Sequence, residues 1–283
     1  MRTWSLLSLA ALLVGPMTAA GQAVDTVDVG GHKLEVVVQG SGLPVVVFEA
    51  GLGNDRTAWD GILPLVAEFT TAVAYTRAGY PGSEVGPEPR SPGQISLELQ
   101  TLLRALDLPP PYVLVGHSLG ALFVRAYYYN QPDEVGALVL VDGSHERQFK
   151  SWQALDSTWN PWAPNSSLAS FAAQRPPGAR GEVAAWLDVE AEGVLPNSRP
   201  LSDLPVYILT ALRSNPTDTT VISSPAGRQI WRDLHAELFS GVKQGAHIIT
   251  SRSGHRIQDT EPSLVVWAVR EAVDALRVSG GGH

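Results

Sequence analysis

The sequence predicts an α/β fold, built on a mostly parallel eight-stranded sheet with helices on both faces. Short runs of branched apolar residues alternate along the chain with segments of helical period, and no internal repeat or low-complexity tract interrupts them. Strands buried on both faces read as continuous apolar runs, which is typical of a parallel sheet covered by helices. With 44% hydrophobic and 17% charged residues in 283, the composition suits one compact domain, which we place at residues 24–283.

The first twenty residues are interpreted as an export signal that precedes this domain. Arg2 supplies a basic end, an apolar stretch follows, and small residues lead up to Ala20. The apolar stretch is shorter than the roughly 20 residues that span a bilayer, which argues against a membrane anchor. We therefore expect residues 1–20 to be cleaved and the mature protein to be periplasmic or extracellular, with no stable membrane span.

Eight short apolar runs supply the strands of the predicted sheet. The first two runs flank Gly30 and Gly31, which is typical of a tight turn, so we expect an antiparallel hairpin that leads into the parallel strands. In chain order the predicted strands are residues 26–29, 33–39, 44–48, 72–75, 112–115, 137–141, 205–210 and 246–250.

Helical periodicity fills the intervals between the later strands. Ahead of the best-marked helix, Ser91 stands three residues before Gln94 in the form of a capping box. The apolar side chains that follow recur at helical spacing, at Ile95, Leu99, Leu102, Leu103 and Leu106. Three further helices are predicted over residues 119–129, 226–239 and 263–276, with a frayed tail over residues 279–283.

Residues 143–203 interrupt the alternation of strands and helices. Aromatic residues stand there among several prolines, among them Trp152, Trp159, Trp162, Phe171 and Trp186. An insertion of this length between two strands predicts a helical lid after the sixth strand. We expect most of these aromatic side chains to fill the lid's own core and a minority to line a cleft at the carboxyl edge of the sheet.

The motif Gly116-His117-Ser118-Leu119-Gly120 carries the chemistry. It follows a predicted strand and precedes a predicted helix, which is the setting of a nucleophile elbow. Side chains two residues before and after the serine would collide at so sharp a turn, which explains the two glycines. The turn raises the Ser118 hydroxyl above the sheet and directs the positive end of the next helix at the reacting atoms. The motif therefore predicts Ser118 as a nucleophile.

A serine hydroxyl needs a base to take its proton, and the chain has seven histidines. His255 follows the last predicted strand by a short loop, which brings it to the edge of the sheet where Ser118 lies. His117 precedes the nucleophile and points away from the site, and His145 is expected in a solvated turn. The remaining histidines are interpreted as surface or packing residues: His32, His235, His247 and His283. Position therefore selects His255 as the general base.

From about residue 26 to residue 277, the chain resembles the α/β-hydrolase superfamily. The resemblance rests on the elbow motif, on Ser253-Gly254-His255, and on residues 77–83, which are similar to the loop that these enzymes place after the fourth strand. It implies a carboxylate that orients the base and lies after the sixth or the seventh strand. The serine at the elbow argues against the dehalogenase and epoxide-hydrolase branches, which use an aspartate there.

Two aspartates fit the implied position of the acid. Asp142 ends the sixth predicted strand, and Asp218 lies in a polar loop beyond the seventh. Such a carboxylate fixes the imidazole tautomer and stabilises the imidazolium as it forms. Asp142 is preferred because its strand should neighbour the strand that bears Ser118, and Asp218 is the alternative. The other interpretation of Asp142 is a structural residue that anchors the start of the lid.

The resemblance also implies an oxyanion hole made by two backbone N–H groups. These belong to the residue after the nucleophile, Leu119, and to Leu52 in the loop after the third strand. The family often has His-Gly in that loop, whereas residues 49–53 of this chain read Glu-Ala-Gly-Leu-Gly. We expect Glu49 to form a salt bridge with Arg77.

Together these residues predict acyl transfer by a Ser-His-Asp triad. A carboxylic ester is the preferred substrate, because an aromatic lid suits an apolar acyl or alcohol group. One alternative is an aminopeptidase-like amide hydrolase, in which Glu49 or Glu190 would bind the free amine. The other alternative is a non-catalytic homologue that binds a ligand. No cofactor and no metal are predicted, because neither a His-x-x-x-His pair nor an acidic cluster at ligand spacing is present.

The composition excludes or disfavours several other classes of function. The chain has no cysteine, which excludes disulfides, thiolate metal sites and a cysteine nucleophile. A net charge of −8 disfavours binding to nucleic acid or to anionic lipid. The expected partner is therefore a small-molecule ester or amide, and the sequence leaves the oligomeric state open.

Overall fold

The structure is a computed structural model that describes residues 24–213 and 217–280. The predicted signal at residues 1–20 lies outside the described residues, as do residues 281–283 of the predicted tail. In the part of the chain that the structure describes, none of the helices has both the length and the hydropathy that crossing a bilayer requires.

A single eight-stranded sheet forms the centre of the molecule. Its strands are β1 (Val24–Asp28), β2 (Lys33–Gln39), β3 (Val45–Glu49), β4 (Ala72–Tyr75), β5 (Tyr112–His117), β6 (Val135–Val141), β7 (Val206–Ala211) and β8 (Gly245–Thr250). They lie in the order β1-β2-β4-β3-β5-β6-β7-β8. β2 pairs antiparallel with both β1 and β4, and the other neighbours are parallel. The predicted hairpin and the predicted parallel strands are thus confirmed.

Helices cover both faces of this sheet. Those in the described residues are α1 (Leu63–Ala67), α2 (Pro92–Ala105), α3 (Leu119–Asn130), α4 (Gln148–Leu155), α5 (Ser167–Ala173), α6 (Pro177–Glu192), α7 (Pro225–Phe239), α8 (Ile257–Thr260) and α9 (Pro262–Gly280). The cap predicted for α2 is present, because the Ser91 hydroxyl accepts a hydrogen bond from the Gln94 N–H at 3.2 Å.

Two apolar cores lie on opposite faces of the sheet, because side chains alternate between the faces along each strand. In β3, Val45 and Val47 face one core, whereas Val46 and Phe48 face the other. The first core contains side chains of α2, α3, α4, α6 and α7, and the second contains side chains of α1, α8 and α9. The central strands β3 to β7 are mostly apolar for this reason.

Helices α4, α5 and α6 occupy the predicted insertion between β6 and β7. We call this segment, residues 143–203, the helical insertion. His145 lies at its start, and the expectation of a solvated turn there is wrong, because only 2% of His145 is exposed. Its backbone N–H donates to the Gln148 side chain at 2.9 Å, so the insertion folds over the histidine.

The ends of several elements differ from the prediction. α9 continues to Gly280, so the frayed tail expected at residues 279 and 280 is wrong, while β5 extends two residues beyond the predicted strand, to His117. α1 and α8 were not predicted, because helices of five and four residues are too short to repeat an apolar pattern.

Candidate active site

Ser118 lies at the sharp turn between β5 and α3, with φ 53° and ψ −124°. Few residues other than glycine adopt such a backbone conformation, so the surrounding structure must hold it. A Cβ at Gly116 would lie 2.6 Å from backbone atoms of Ala121, and a Cβ at Gly120 would lie 2.5 Å from the Glu49 carbonyl oxygen. The two glycines of the motif are therefore required by close backbone contacts on both sides of the serine.

Two backbone hydrogen bonds fix the serine to the segment that follows β6. The Ser118 N–H donates to the Val141 carbonyl at 3.1 Å, and the Ser118 carbonyl accepts from the Ser144 N–H at 2.9 Å. Asp142 lies between these two partners. The parallel pairing of β5 and β6 thus places the serine and the aspartate on neighbouring segments that backbone hydrogen bonds join directly.

His255 reaches the same edge of the sheet from the loop after β8. Its Nε2 lies 2.9 Å from Ser118 Oγ, and its Nδ1 lies 2.7 Å from Asp142 Oδ2. A carboxylate only accepts, so the proton of the neutral ring is on Nδ1 and Nε2 is free to accept from the serine. The structure therefore brings together all three residues that the sequence singled out. Half of the His255 side chain is exposed, whereas Asp142 is buried.

Asp142 is held by donors on both of its oxygens. Oδ1 accepts from the Ala211 N–H and from the Trp231 indole N–H, each at 2.8 Å, while Oδ2 accepts from His255. Burial by itself would raise the pKa of Asp142, but the hydrogen bond and charge of His255 and the Ala211 N–H outweigh it and lower the pKa. The carboxylate is therefore ionised at neutral pH.

Asp218, the alternative acid, lies at the wall of the same cleft but has other partners. It accepts from the Thr220 N–H at 2.9 Å and from the Ser223 hydroxyl at 2.5 Å. These hydrogen bonds lower the pKa of Asp218. The imidazole of His255 is bonded to Asp142 instead.

Behind the site, His117 supports the loop that carries His255. Its Nε2 lies 2.9 Å from the His255 carbonyl oxygen, which can only accept, so His117 carries its proton on Nε2. The two rings lie 4.8 Å apart. Burial lowers the pKa of His117 to about 3, so the ring is neutral. The expectation that His117 points away from the cleft agrees with this position, but its contact with the base was not predicted.

His235 supports the backbone next to Asp142. Its Nε2 donates to the Gly143 carbonyl at 2.7 Å, and its Nδ1 accepts from the Thr210 hydroxyl at 2.6 Å. The Thr210 oxygen in turn lies 2.8 Å from His247 Nε2. Burial lowers the pKa of His235 to about 4, so this ring is neutral as well. The interpretation of His235 as a packing residue holds, although its position next to the acid could not be inferred from its helix.

The loop after β3 passes beside the serine, and Leu52 lies in it. A Cβ at Gly51 would lie 3.1 Å from the Ser118 Cβ. The Leu52 carbonyl accepts from the Asn54 side chain at 3.0 Å, and the next N–H, that of Gly53, donates to the Tyr80 hydroxyl at 3.1 Å. Leu119, the other residue assigned to the oxyanion hole, is the first residue of α3.

The predicted salt bridge behind this loop is present. Arg77 Nη1 lies 2.5 Å from Glu49 Oε1, and both side chains are buried. Glu49 also accepts a hydrogen bond from the Tyr75 hydroxyl. Burial raises the pKa of Glu49, against the influence of Arg77 and Tyr75.

A cleft of about 500 Å³ opens above Ser118, Asp142 and His255. Aromatic side chains of the helical insertion and α7 form much of its apolar wall: Phe149, Trp152, Trp159, Phe171, Trp186 and Trp231. The expectation that only a minority of the insertion's aromatic residues would line the cleft is wrong, since Phe149 and four of the five residues named in the prediction do. Each ring packs on its neighbours and still faces the cleft, as Phe149 does 4.5 Å from Trp186.

The comparisons with known proteins agree with this fold. The protein YqjL of Bacillus subtilis (strain 168), an uncharacterised protein, is 25% identical over 231 residues, which cover 82% of this chain and 84% of YqjL. Two further curated relatives are matched over only 22% and 43% of their own length.

Two solved structures share the architecture at low sequence identity. The protein lip1 from Acinetobacter baumannii AYE, provisionally named a lipase, has a TM-score of 0.68 at 18% identity, with 92% of this chain and 93% of lip1 covered. A thermophilic esterase from Thermogutta terrifontis has a TM-score of 0.61 at 18% identity, with 89% of this chain and 97% of the esterase covered. At such identity these structures show a common fold.

The family follows from a match that spans most of the chain. Residues 44–279 fit the family model described as alpha/beta hydrolase fold. This range contains the strands β3 to β8, the turn at Ser118 and His255, and the strand order agrees with the predicted resemblance. The chain therefore belongs to the alpha/beta hydrolase fold family.

Proposed function

We propose that the protein is a serine hydrolase that cleaves a carboxylic ester through an acyl-enzyme, with Ser118 as nucleophile, His255 as general base and Asp142 as the orienting acid. The hydrogen-bonded series from Ser118 Oγ through His255 to Asp142, at 2.9 and 2.7 Å, carries the proposal. A nucleophile within hydrogen-bond reach of a base, which a third group orients, is the arrangement that activates a serine hydroxyl. Membership of a hydrolase family supports the same conclusion.

In the first half-reaction, Ser118 Oγ bonds to the ester carbonyl carbon while its proton passes to His255 Nε2. Asp142 keeps the other ring proton on Nδ1 and stabilises the imidazolium. The proton on Nε2 then passes to the alcohol oxygen as the ester C–O bond breaks. The alcohol leaves, and the acyl group remains on Ser118.

Negative charge develops on the carbonyl oxygen during this step, and we assign the N–H groups of Leu119 and Leu52 to it. Leu119 supplies the first N–H of α3, where the helix has no partner of its own for that group and carries partial positive charge. Leu52 lies in the loop beside Ser118. In the second half-reaction, His255 takes a proton from water while the water oxygen adds to the acyl carbon. The bond between the acyl carbon and Ser118 Oγ then breaks as His255 returns the proton to Oγ, and the acid leaves.

The aromatic cleft favours an apolar group on the substrate. Its walls resemble those of small-molecule sites, in which apolar side chains surround a few polar groups. Polar residues also line this cleft. Among them are Ser144, whose N–H is bonded to the Ser118 carbonyl, and Gln148, the first residue of α4. The esterase and the provisionally named lipase that share the fold are consistent with an ester substrate.

The carboxylates considered for binding an amine have other partners, which favours the ester over an aminopeptidase substrate. Glu49 is bonded to Arg77 and Tyr75. Glu190 accepts from the Phe149 N–H at 3.0 Å. Neither belongs to the residues that line the cleft.

The proposal is tested with a fluorophosphonate probe and two chromogenic substrates. We expect the wild type to be labelled, Ser118→Ala to lose the label, and Ser144→Ala, which alters another serine of the same cleft, to keep it. We also expect p-nitrophenyl butyrate to be hydrolysed faster than alanine p-nitroanilide. No label on well-folded wild type would support the non-catalytic homologue, and faster cleavage of the anilide would support the aminopeptidase.

We further propose that residues 1–20 direct export and are removed. The basic end at Arg2, the apolar stretch and the small residues before Ala20 support this. Cell fractionation with mass measurement of the purified protein tests the proposal. A cytoplasmic protein whose mass includes residues 1–20 would refute it.

A further inference from the structure

A buried ion network connects the loop that bears Leu52 to the helical insertion. Arg77, just after β4, lies between two acids from different parts of the chain. Its Nη1 contacts Glu49 Oε1 at 2.5 Å, and its Nε and Nη2 contact the two oxygens of Glu182 at 2.6 and 2.8 Å. Glu182 belongs to α6, so the network spans the sheet and the insertion. All three side chains are at least 98% buried.

The same guanidinium also holds the backbone of the loop. Arg77 donates to the Ala50 carbonyl at 2.6 Å and to the Gly51 carbonyl at 3.1 Å. On the other side of Leu52, the Gly53 N–H donates to the Tyr80 hydroxyl, and that hydroxyl donates to Glu182 at 2.7 Å. Both peptides that flank Leu52 are thus fixed by groups that Glu182 binds.

Glycines allow α6 to come close enough for this contact. A Cβ at Gly178 would lie 2.3 Å from the Ala78 carbonyl oxygen, and a Cβ at Gly79 would lie 2.5 Å from the Gly178 nitrogen. The Gly178 N–H donates to the Gly79 carbonyl at 3.1 Å. Glu182 stands four residues after Gly178 on the same face of α6, so the close approach of one turn brings the next turn onto Arg77.

We propose that Arg77, Glu182 and Tyr80 are positioning residues that hold the Leu52 N–H where the oxyanion forms, so that the seating of α6 sets the strength of the oxyanion hole. The proposal rests on the function proposed above. Buried ion pairs contribute little net stability because desolvation offsets their attraction, so stability alone does not explain this network. A fixed donor, in contrast, is worth much to catalysis because it needs no rearrangement during the reaction.

The test compares Glu182→Gln with a matched control, Glu98→Gln. Glu98 forms a similar buried pair with Arg90, at 2.5 and 2.7 Å. Arg90 also packs against α6, since a Cβ at Gly181 would lie 2.4 Å from its Cγ, but its bonds do not reach the loop at residues 50–53. The control therefore removes the charge of a comparable buried ion pair and leaves the contact of Glu182 with Arg77 and Tyr80 in place.

The readout is steady-state hydrolysis of p-nitrophenyl butyrate together with inhibition by butylboronic acid. The boronic acid adds to Ser118 to give a tetrahedral anion, which the oxyanion hole stabilises. KM for the ester, in contrast, reports binding of the substrate in the aromatic cleft. Loss of a whole oxyanion donor costs about 10²–10³-fold in kcat. For a displaced donor we expect Glu182→Gln to lower kcat by about 10- to 100-fold. The boronic acid inhibition constant should rise in parallel, with KM within about twofold.

Tyr80→Phe gives a second measurement that retains the ring and the ion pairs. We expect the same pattern with a smaller loss of kcat, and Glu98→Gln should keep kcat within about twofold of the wild type. Folded Glu182→Gln and Tyr80→Phe proteins with unchanged kcat and boronic acid affinity would overturn the inference, as would an equal kcat loss in Glu98→Gln. If the wild type itself shows no hydrolysis that depends on Ser118, the proposed function fails and the inference with it.

Discussion

Replacing Asp142 by asparagine tests the orientation of the base with almost no change in shape. Oδ1 of Asp142 accepts from the Ala211 N–H and the Trp231 indole. In the variant, these two donors hold the amide oxygen on their side, so the amide NH₂ must face His255. An NH₂ group donates to Nδ1, which moves the ring proton to Nε2. The ring then has no lone pair for the Ser118 proton.

The expected loss of kcat follows from the wrong tautomer. We expect a fall of about 10⁴-fold, which corresponds to about 5.4 kcal/mol at 1.36 kcal/mol for each factor of ten. The free energy of unfolding should change by no more than about 1–3 kcal/mol, because the donors to the retained oxygen stay paired. Hydrolysis of p-nitrophenyl butyrate gives kcat, and urea titration gives the free energy of unfolding.

Asp218→Asn is the matched control, because it makes the same change at the other acid of the cleft. Asp218 is bonded to Thr220 and Ser223, so we expect this variant to keep kcat within about threefold. If Asp142→Asn keeps kcat within tenfold while Asp218→Asn loses most of it, Asp218 orients the base and the reasoning above is wrong.

Three further predictions concern stability. Trp231→Phe removes a hydrogen bond to an ionised carboxylate and should lower the free energy of unfolding by about 1.5–3 kcal/mol in urea titration; an unchanged value would contradict it. Gly120→Ala puts a Cβ 2.5 Å from the Glu49 carbonyl oxygen, so we expect a loss of about 3 kcal/mol or more, and a wild-type melting temperature would refute the contact. His117 and His235 have pKa values lowered to about 3 and about 4, below the roughly 6.5 of an unfolded chain, so the unfolded state binds protons first as the pH falls. Acidification from about pH 7.5 to about pH 5 should therefore cost about 2 kcal/mol for each ring, whereas Glu190, whose pKa burial raises to about 8, acts in the opposite direction. A urea midpoint that falls no further in the wild type than in His117→Asn would contradict the effect of that ring.

The turn at Ser118 could be predicted from the sequence because its signal is local. Gly116 and Gly120 are needed within two residues of Ser118, and a strand and a helix with clear apolar patterns flank them. His255 was identified by its place after the last strand. The preference for Asp142 came from topology, since the ends of neighbouring parallel strands meet at one edge of the sheet.

The supporting contacts could not be predicted, because they join segments far apart in the chain. Trp231 reaches Asp142 across 89 residues, and Glu182 reaches Arg77 across 105. No periodic pattern marks a partner at such a separation. His145 was assigned to a solvated turn for the same reason, since its burial depends on how the insertion folds back.

The three side chains of the proposed triad are not equally secured. Ser118 and Asp142 lie at the ends of neighbouring central strands, on segments that backbone hydrogen bonds join. His255 lies in the loop after β8, and half of its side chain is exposed to solvent. Gentle heating should therefore abolish the proposed hydrolysis while the sheet is still intact, because the loop after β8 loosens before the centre of the sheet does. The hydrogen bond from His117 to the His255 carbonyl is one of the contacts that oppose this loosening.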